Sequence, residues 1–180
     1  AAMAGGGMRA AAQSAATSPS GAVVLMYHRF GEDAYPSTSI RLAQFDEHIA
    51  KLTSGAYHVL PLDEVVAALR DGTVLPDRTV AITIDDAYRS IYTEAFPRLQ
   101  AAGLPFTIFV NTDAVGQVPG ALTWDELRVM EDAGVTIGAH SASHAHMAVQ
   151  GRGAMEEDLA RMTAAFLSEL GHVPEVFAYP

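Results

Sequence analysis

The sequence predicts an α/β fold whose parallel sheet is closed, or nearly closed, as a barrel. Two observations point to it. Short apolar runs alternate with segments whose apolar residues recur at three- and four-residue intervals, and glycines stand at most of the changeovers between the two patterns.

The elements follow in order. Ala1 to Gly21 is built almost wholly of Ala, Gly, Ser, Met and Thr, carries the single charge of Arg9, and has neither period, so residues 1–21 read as a disordered tail or linker, such as one left below a removed signal peptide or lipid anchor. Residues 22–180 read as one domain. Ala22 to Tyr27 is an apolar run that suits a buried strand. Leu42, Phe45, Ile49 and Leu52 fall at helical spacing before Gly55, and Leu62, Val65, Val66 and Leu69 repeat the pattern before Gly72. Val80 to Ile84 is a strand, a helical stretch with an internal Pro97 runs to Gly103, and Phe106 to Val110 is the next strand, completing a β-α-β unit. Thr123 and Glu126 have capping-box spacing and open a helix that ends at Gly134, before a strand over Val135 to Ala139. Met155, Leu159, Met162, Phe166 and Leu170 form the stripe of another helix, and Val176 to Ala178 is the last strand.

Composition narrows the chemistry. A chain of 180 residues with 49% hydrophobic content fills one core. Eleven Lys and Arg against 21 Asp and Glu give a net charge of −10, which disfavours nucleic acid and anionic membrane and suits a neutral or cationic partner. Without cysteine, only histidine and carboxylate remain as transition-metal ligands. No apolar run approaches the roughly 20 residues that span a bilayer.

Asp85 and Asp86 follow the Val80 to Ile84 strand at the C-terminal rim, where parallel sheets place their sites. Adjacent carboxylates repel, so the pair calls for a cation or for hydrogen bonds; Asp86 as a turn cap beside a solvated Asp85 is the plainer alternative. His140 and His144 leave the Val135 to Ala139 strand in the same way, and their spacing sets both imidazoles on one side of a helical turn, as one metal ion requires. Surface histidines would explain the pair in isolation. Parallel topology, however, brings both clusters to one rim. Tyr88, Trp124 and Tyr179 are candidate sugar-binding aromatics, with core or rim packing as the alternative for the first two. Asn111 and Asp113 stand at another strand end, facing either the groove or a turn.

Thr83-Ile84-Asp85-Asp86 and His140-Ser141-Ala142-Ser143-His144 resemble the first two motifs of the NodB-like polysaccharide deacetylases, carbohydrate esterase family 4. Met26-Tyr27-His28 and Phe177-Ala178-Tyr179-Pro180 resemble the branch that acts on biofilm poly-N-acetylglucosamine. The resemblance implies a distorted (β/α) barrel of the polysaccharide deacetylase type, lacking its C-terminal strands. It implies that Asp86, His140 and His144 bind a divalent metal, zinc foremost, that Asp85 is the catalytic base, and that the chain hydrolyses N-acetyl groups of an N-acetylglucosamine polymer. An exported protein is expected on the same ground.

Departures from the pattern are Ile84 for a usual Phe, Ala87 for a frequent Gly, which requires a turn with φ below zero there, and Ala178 for an arginine that orients the base in many relatives. The resemblance also places an oxyanion-binding backbone N–H just after the Pro180 position and a proton-donating histidine later still. His28, His146 and His172 are the remaining histidines near the motifs, and none is assigned as the acid. The competing expectation is therefore a metal- and glycan-binding module without turnover. An unclosed barrel would further predict association with another chain or with a missing C-terminal segment.

Overall fold

The structure is a computed structural model that describes residues 21–180; the expected tail lies outside the described residues except for Gly21. Its organiser is strand β5 (Thr79–Asp85), all seven residues of which are buried. Strand β1 (Ala22–Tyr27) runs parallel to it in the register Ala22↔Thr79 to Tyr27↔Ile84. Strand β4 (His58–Val59) pairs with the start of β5, and β6 (Thr107–Val110) pairs with its end, Asp85 facing Phe109. Strand β7 (Thr136–Ala139) lies along β6. Every strand pairing among the described residues is parallel, as the alternation of strands and helices predicts. A second, two-stranded sheet joins β2 (Arg29–Phe30) to β3 (Ser39–Ile40).

The expected strand at 176–178 is reduced to one parallel bridge, Ala139↔Phe177, flanked by two backbone hydrogen bonds of 2.9 Å. Pro174 and Pro180 stand on either side and carry no N–H to extend a ladder. Among the described residues β1 has β5 as its one strand neighbour, and Val23, Val24 and Met26 are exposed.

Strand alternation separates two faces. Val80, Ile82 and Ile84 share a core with Ile108, Val110 and Ile137. Helices α1 (Leu42–Leu52), α3 (Phe96–Ala101), α4 (Trp124–Asp132) and α5 (Arg152–Glu169) cover that face through Phe45, Leu99, Leu127, Met130 and Phe166. On the opposite face Ala81 and Phe109 pack with Leu62 and Val65 of α2 (Leu62–Asp71). Alternation puts Asp85 on this second face.

Local signals are realised with one change. The Thr123 hydroxyl accepts the Glu126 N–H, and Glu126 returns the bond to the Thr123 N–H at 2.9 Å, so α4 opens on a full capping box. Gly72 closes α2 at φ 70°. Around Pro97 the chain forms a π-helical turn, Ile91–Ala95, before α3 begins; proline's missing N–H forbids an uninterrupted α-helix there. No described helix is long and apolar enough to cross a membrane.

Candidate metal centre

Successive residues of a strand point to opposite faces, so Asp85 and Asp86 would normally diverge. Asp86 instead adopts φ +67°, a left-handed conformation that costs a non-glycine residue about 1 kcal/mol and turns its carboxylate back toward the rim. Both carboxylates are buried, at 8% and 7% exposure. Ala87 is not among the positive-φ residues, consistent with the turn that alanine there requires.

His140 prolongs β7 by donating its backbone N–H to Val110 at 3.0 Å. The expected helical turn between the histidines is not formed. Ser141 and His144 take φ +65° and +57°, so 140–144 is a tight loop, with the Ser141 hydroxyl accepting the His144 N–H at 2.9 Å. The four-residue spacing therefore works through two left-handed residues and not through helical periodicity.

These turns converge on one point. Asp86 Oδ1 lies 3.2 Å from His144 Nε2 and 4.0 Å from His140 Nε2. The three ligand atoms all lie within 4.8 Å of one another. Ligands held at about 2 Å around a tetrahedral ion are about 3.3 Å apart, so one divalent ion fits once side-chain rotation draws the wider pairs together. The His140 tautomer agrees. Its Nδ1 lies 2.9 Å from the Ala178 carbonyl, which can only accept, so the proton sits on Nδ1 and the Nε2 lone pair faces the cluster. Two imidazoles and a carboxylate are a donor set that first-row divalent metals favour.

The comparisons bear on the same residues. Residues 73–180, which contain both motifs, match the family described as Polysaccharide deacetylase. The chain belongs to this family. Poly-beta-1,6-N-acetyl-D-glucosamine N-deacetylase of Escherichia coli K12 is 32% identical over 105 residues, 54% of this chain and 16% of that protein. A chitin deacetylase of a Pestalotiopsis species is 30% identical over 138 residues, 73% of this chain and 45% of that protein. Thus the chain spans less than half the length of the curated relatives it matches. The structure of IcaB from Ammonifex degensii superposes with a TM-score of 0.80 at 30% identity, covering 89% of this chain and 74% of that one. The polysaccharide deacetylase fold is thereby established.

Within this family member Asp85 is linked electrostatically to Asp86, His140 and His144. Burial pushes its carboxyl above the usual carboxylate range; His140 and His28 oppose that rise, Asp86 reinforces it, and His144 opposes it more weakly. His28 is the histidine that residue types alone could not assign. It directly follows β1, whose last residue, Tyr27, pairs with Ile84 next to Asp85, and it acts electrostatically on the Asp85 carboxyl. His172 is engaged elsewhere, 2.8 Å from Glu131, and His146 only precedes a short 3-10 turn, Met147–Val149.

The aromatic candidates separate. The Arg29 guanidinium lies 3.4 Å from the centroid of the Tyr88 ring and 3.9 Å from that of Tyr35, so one face of Tyr88 is already occupied. Burial and the neighbouring Asp86 push the Tyr88 hydroxyl pKa up. Trp124 packs edge-on against Phe166, ring centroids 5.8 Å apart, as part of the core. Both rings thus have a packing neighbour in the fold, in keeping with the core or rim alternative. Tyr179 differs: it is 78% exposed, edge-on to Phe177, and one residue from the carbonyl that orients His140.

Three further contributors carry no motif signal. They are the Ala178 carbonyl, the Arg29 stack, and Asp158, a buried acid whose oxygens accept the Ala142 and Ser143 N–H groups. The amide oxygen of Asn111 is buried without a partner among the described residues, and Asp113 joins Arg161 at 3.2 Å.

Proposed function

We propose that this protein is a metal-dependent N-deacetylase of an N-acetylglucosamine polymer, with Asp86, His140 and His144 as metal ligands and Asp85 as general base. The observation that carries the reading is the convergence of three ligand atoms beside a second buried carboxylate, in a chain of the polysaccharide deacetylase family. Similarity to an Escherichia coli protein named for poly-β-1,6-N-acetylglucosamine supports that polymer, the biofilm type, as substrate, and an exported location belongs to the same proposal.

A divalent ion in this site, zinc foremost, supplies a polarised carbonyl and an acidified water. The residues supply the rest. Asp85 accepts a proton from the attacking water through a carboxylate oxygen. Water oxygen bonds to the acetamide carbon, and the C–N bond then breaks, leaving acetate and an amine. His28, which follows the end of β1 and acts electrostatically on Asp85, is the residue we assign to protonate the departing nitrogen. Tyr179 is the exposed aromatic suited to contact a neighbouring pyranose ring.

Acetate release from an acetylated glucosamine oligomer, measured with and without Zn²⁺, tests the reading. Zn²⁺-dependent release that Asp85→Asn abolishes is expected; oligomer bound with Zn²⁺ present but never hydrolysed would leave the binding module instead.

A further inference from the structure

We propose that Asp158, on α5, is a positioning residue that sets the geometry of the two histidine ligands. This rests on the reading of Asp86, His140 and His144 as a metal site. Asp158 is 4% exposed, although it sits on the face of α5 that also buries Met162 and Phe166. Its Oδ2 accepts the Ala142 N–H at 2.8 Å, and its Oδ1 accepts the Ser143 N–H at 3.1 Å and the Ser143 hydroxyl at 2.5 Å. Ala142 and Ser143 lie between the two ligands, and the Ser141 hydroxyl holds the third intervening contact, to the His144 N–H. All three residues between His140 and His144 are thus tied down.

The loop needs such a tie. Ser141 and His144 both hold left-handed backbone conformations, which persist in non-glycine residues only where surrounding contacts over-determine them. Asp158 is part of a closed ring. Arg161 reaches Asp158 at 3.0 Å and Asp113 at 3.2 Å, and the Asp113 N–H donates to the Ala142 carbonyl at 3.0 Å. The ring fastens the loop to α5 and to the end of β6 at once, and Arg161 compensates the buried charge.

Chemistry also explains why an acid stands here. Four donors point at one side chain, two backbone N–H groups, a hydroxyl and the Arg161 guanidinium, and a carboxylate accepts all of them. Asparagine would turn an NH₂ toward one of those donors. Asp158 touches neither histidine ring and needs no contact with substrate, so its effect passes through the loop to ligand orientation.

The test is isothermal titration of the full chain with Zn²⁺ alone, alongside a thermal melt of the metal-free protein. Parent protein should bind Zn²⁺. Asp158→Asn should bind about 10- to 100-fold more weakly, the loss usual for groups that orient metal ligands. Phe166→Leu, a core change remote from the loop, should lower the melting temperature but keep the parent affinity, which separates positioning from general destabilisation. Should Asp158→Asn not fold, Ser143→Ala decides, with a several-fold loss of affinity expected. Undiminished Zn²⁺ affinity in the folded Asp158 or Ser143 variant, or an equal loss in Phe166→Leu, would overturn the proposal. A parent that binds no Zn²⁺ would instead overturn the metal reading, and this one with it.

Discussion

The acidic and histidine halves of the site reach the same rim by different means. Asp85 and Asp86 end a fully buried seven-residue strand with strand neighbours at both its ends, and a single left-handed residue completes their placement. His140 and His144 follow a four-residue strand whose far side has one isolated bridge. That half is braced by side chains and carbonyls from elsewhere: Asp158 and Arg161 of α5, and the Ala178 carbonyl. The acidic half inherits its rigidity from the sheet, whereas the histidine half is assembled by contacts distant in sequence. Loss of Asp85 should therefore change chemistry without metal affinity, and perturbations near β7 should change stability and metal binding together.

The largest expected effect is on the acidic side. Asp85→Asn should lower the deacetylation rate by about 10²- to 10⁴-fold, the range for loss of a general base, while Zn²⁺ affinity stays near that of the parent. Steady-state rates with parallel titrations check this; a parallel loss of affinity would mean that Asp85 is itself a ligand. On the histidine side, Gly138→Ala would put a Cβ 2.6 Å from two Phe109 ring carbons and 3.1 Å from Val176. Phe109 lies next to His140, ring centroids 6.5 Å apart, so overpacking should cost about 1 to 3 kcal/mol in urea denaturation and weaken metal binding as well.

A third difference should appear with pH. Burial pushes Asp158 upward, but hydrogen bonds from the Ser143 hydroxyl and the Ala142 and Ser143 N–H groups, with the Arg161 charge, outweigh it and hold the carboxyl below its usual range. A depressed carboxylate contributes fully at neutral pH and loses its contribution as pH falls through the lowered value. The stability gap between parent and Asp158→Asn should accordingly be widest near pH 7 and shrink below about pH 4. A gap that grows with acidification would contradict the assignment. Smallest is Tyr88→Phe, which keeps the Arg29 stack, removes only a hydroxyl near Asp86, and should cost about 0.5 to 1.5 kcal/mol in the same denaturation assay.

The two halves also differ in how far they could be read from sequence. Asp85 and Asp86 announce themselves by charge repulsion at the end of an apolar run, and Thr123 with Glu126 carries its cap in local spacing. His140 and His144 were legible as a pair, but the loop between them was not, since helical spacing and a double left-handed turn give the same interval. Asp158 was hidden in the stripe of α5. It occupies the position four before Met162 and eight before Phe166, and a carboxylate in such a row is the signal that could have found it. Ala178 acts through a backbone carbonyl, which no side-chain pattern records. His28 comes near Asp85 only because β1 pairs with β5, and Tyr88 loses an open face to Arg29; both depend on tertiary packing.

The central claim is that Asp86, His140 and His144 share one ion beside Asp85. X-ray absorption at the zinc edge of the Zn²⁺-loaded full chain tests it most directly. Two imidazole nitrogens and a carboxylate oxygen among the nearest ligands are expected, with one imidazole lost in His144→Ala. A shell without imidazole, or one unchanged by that substitution, would contradict it.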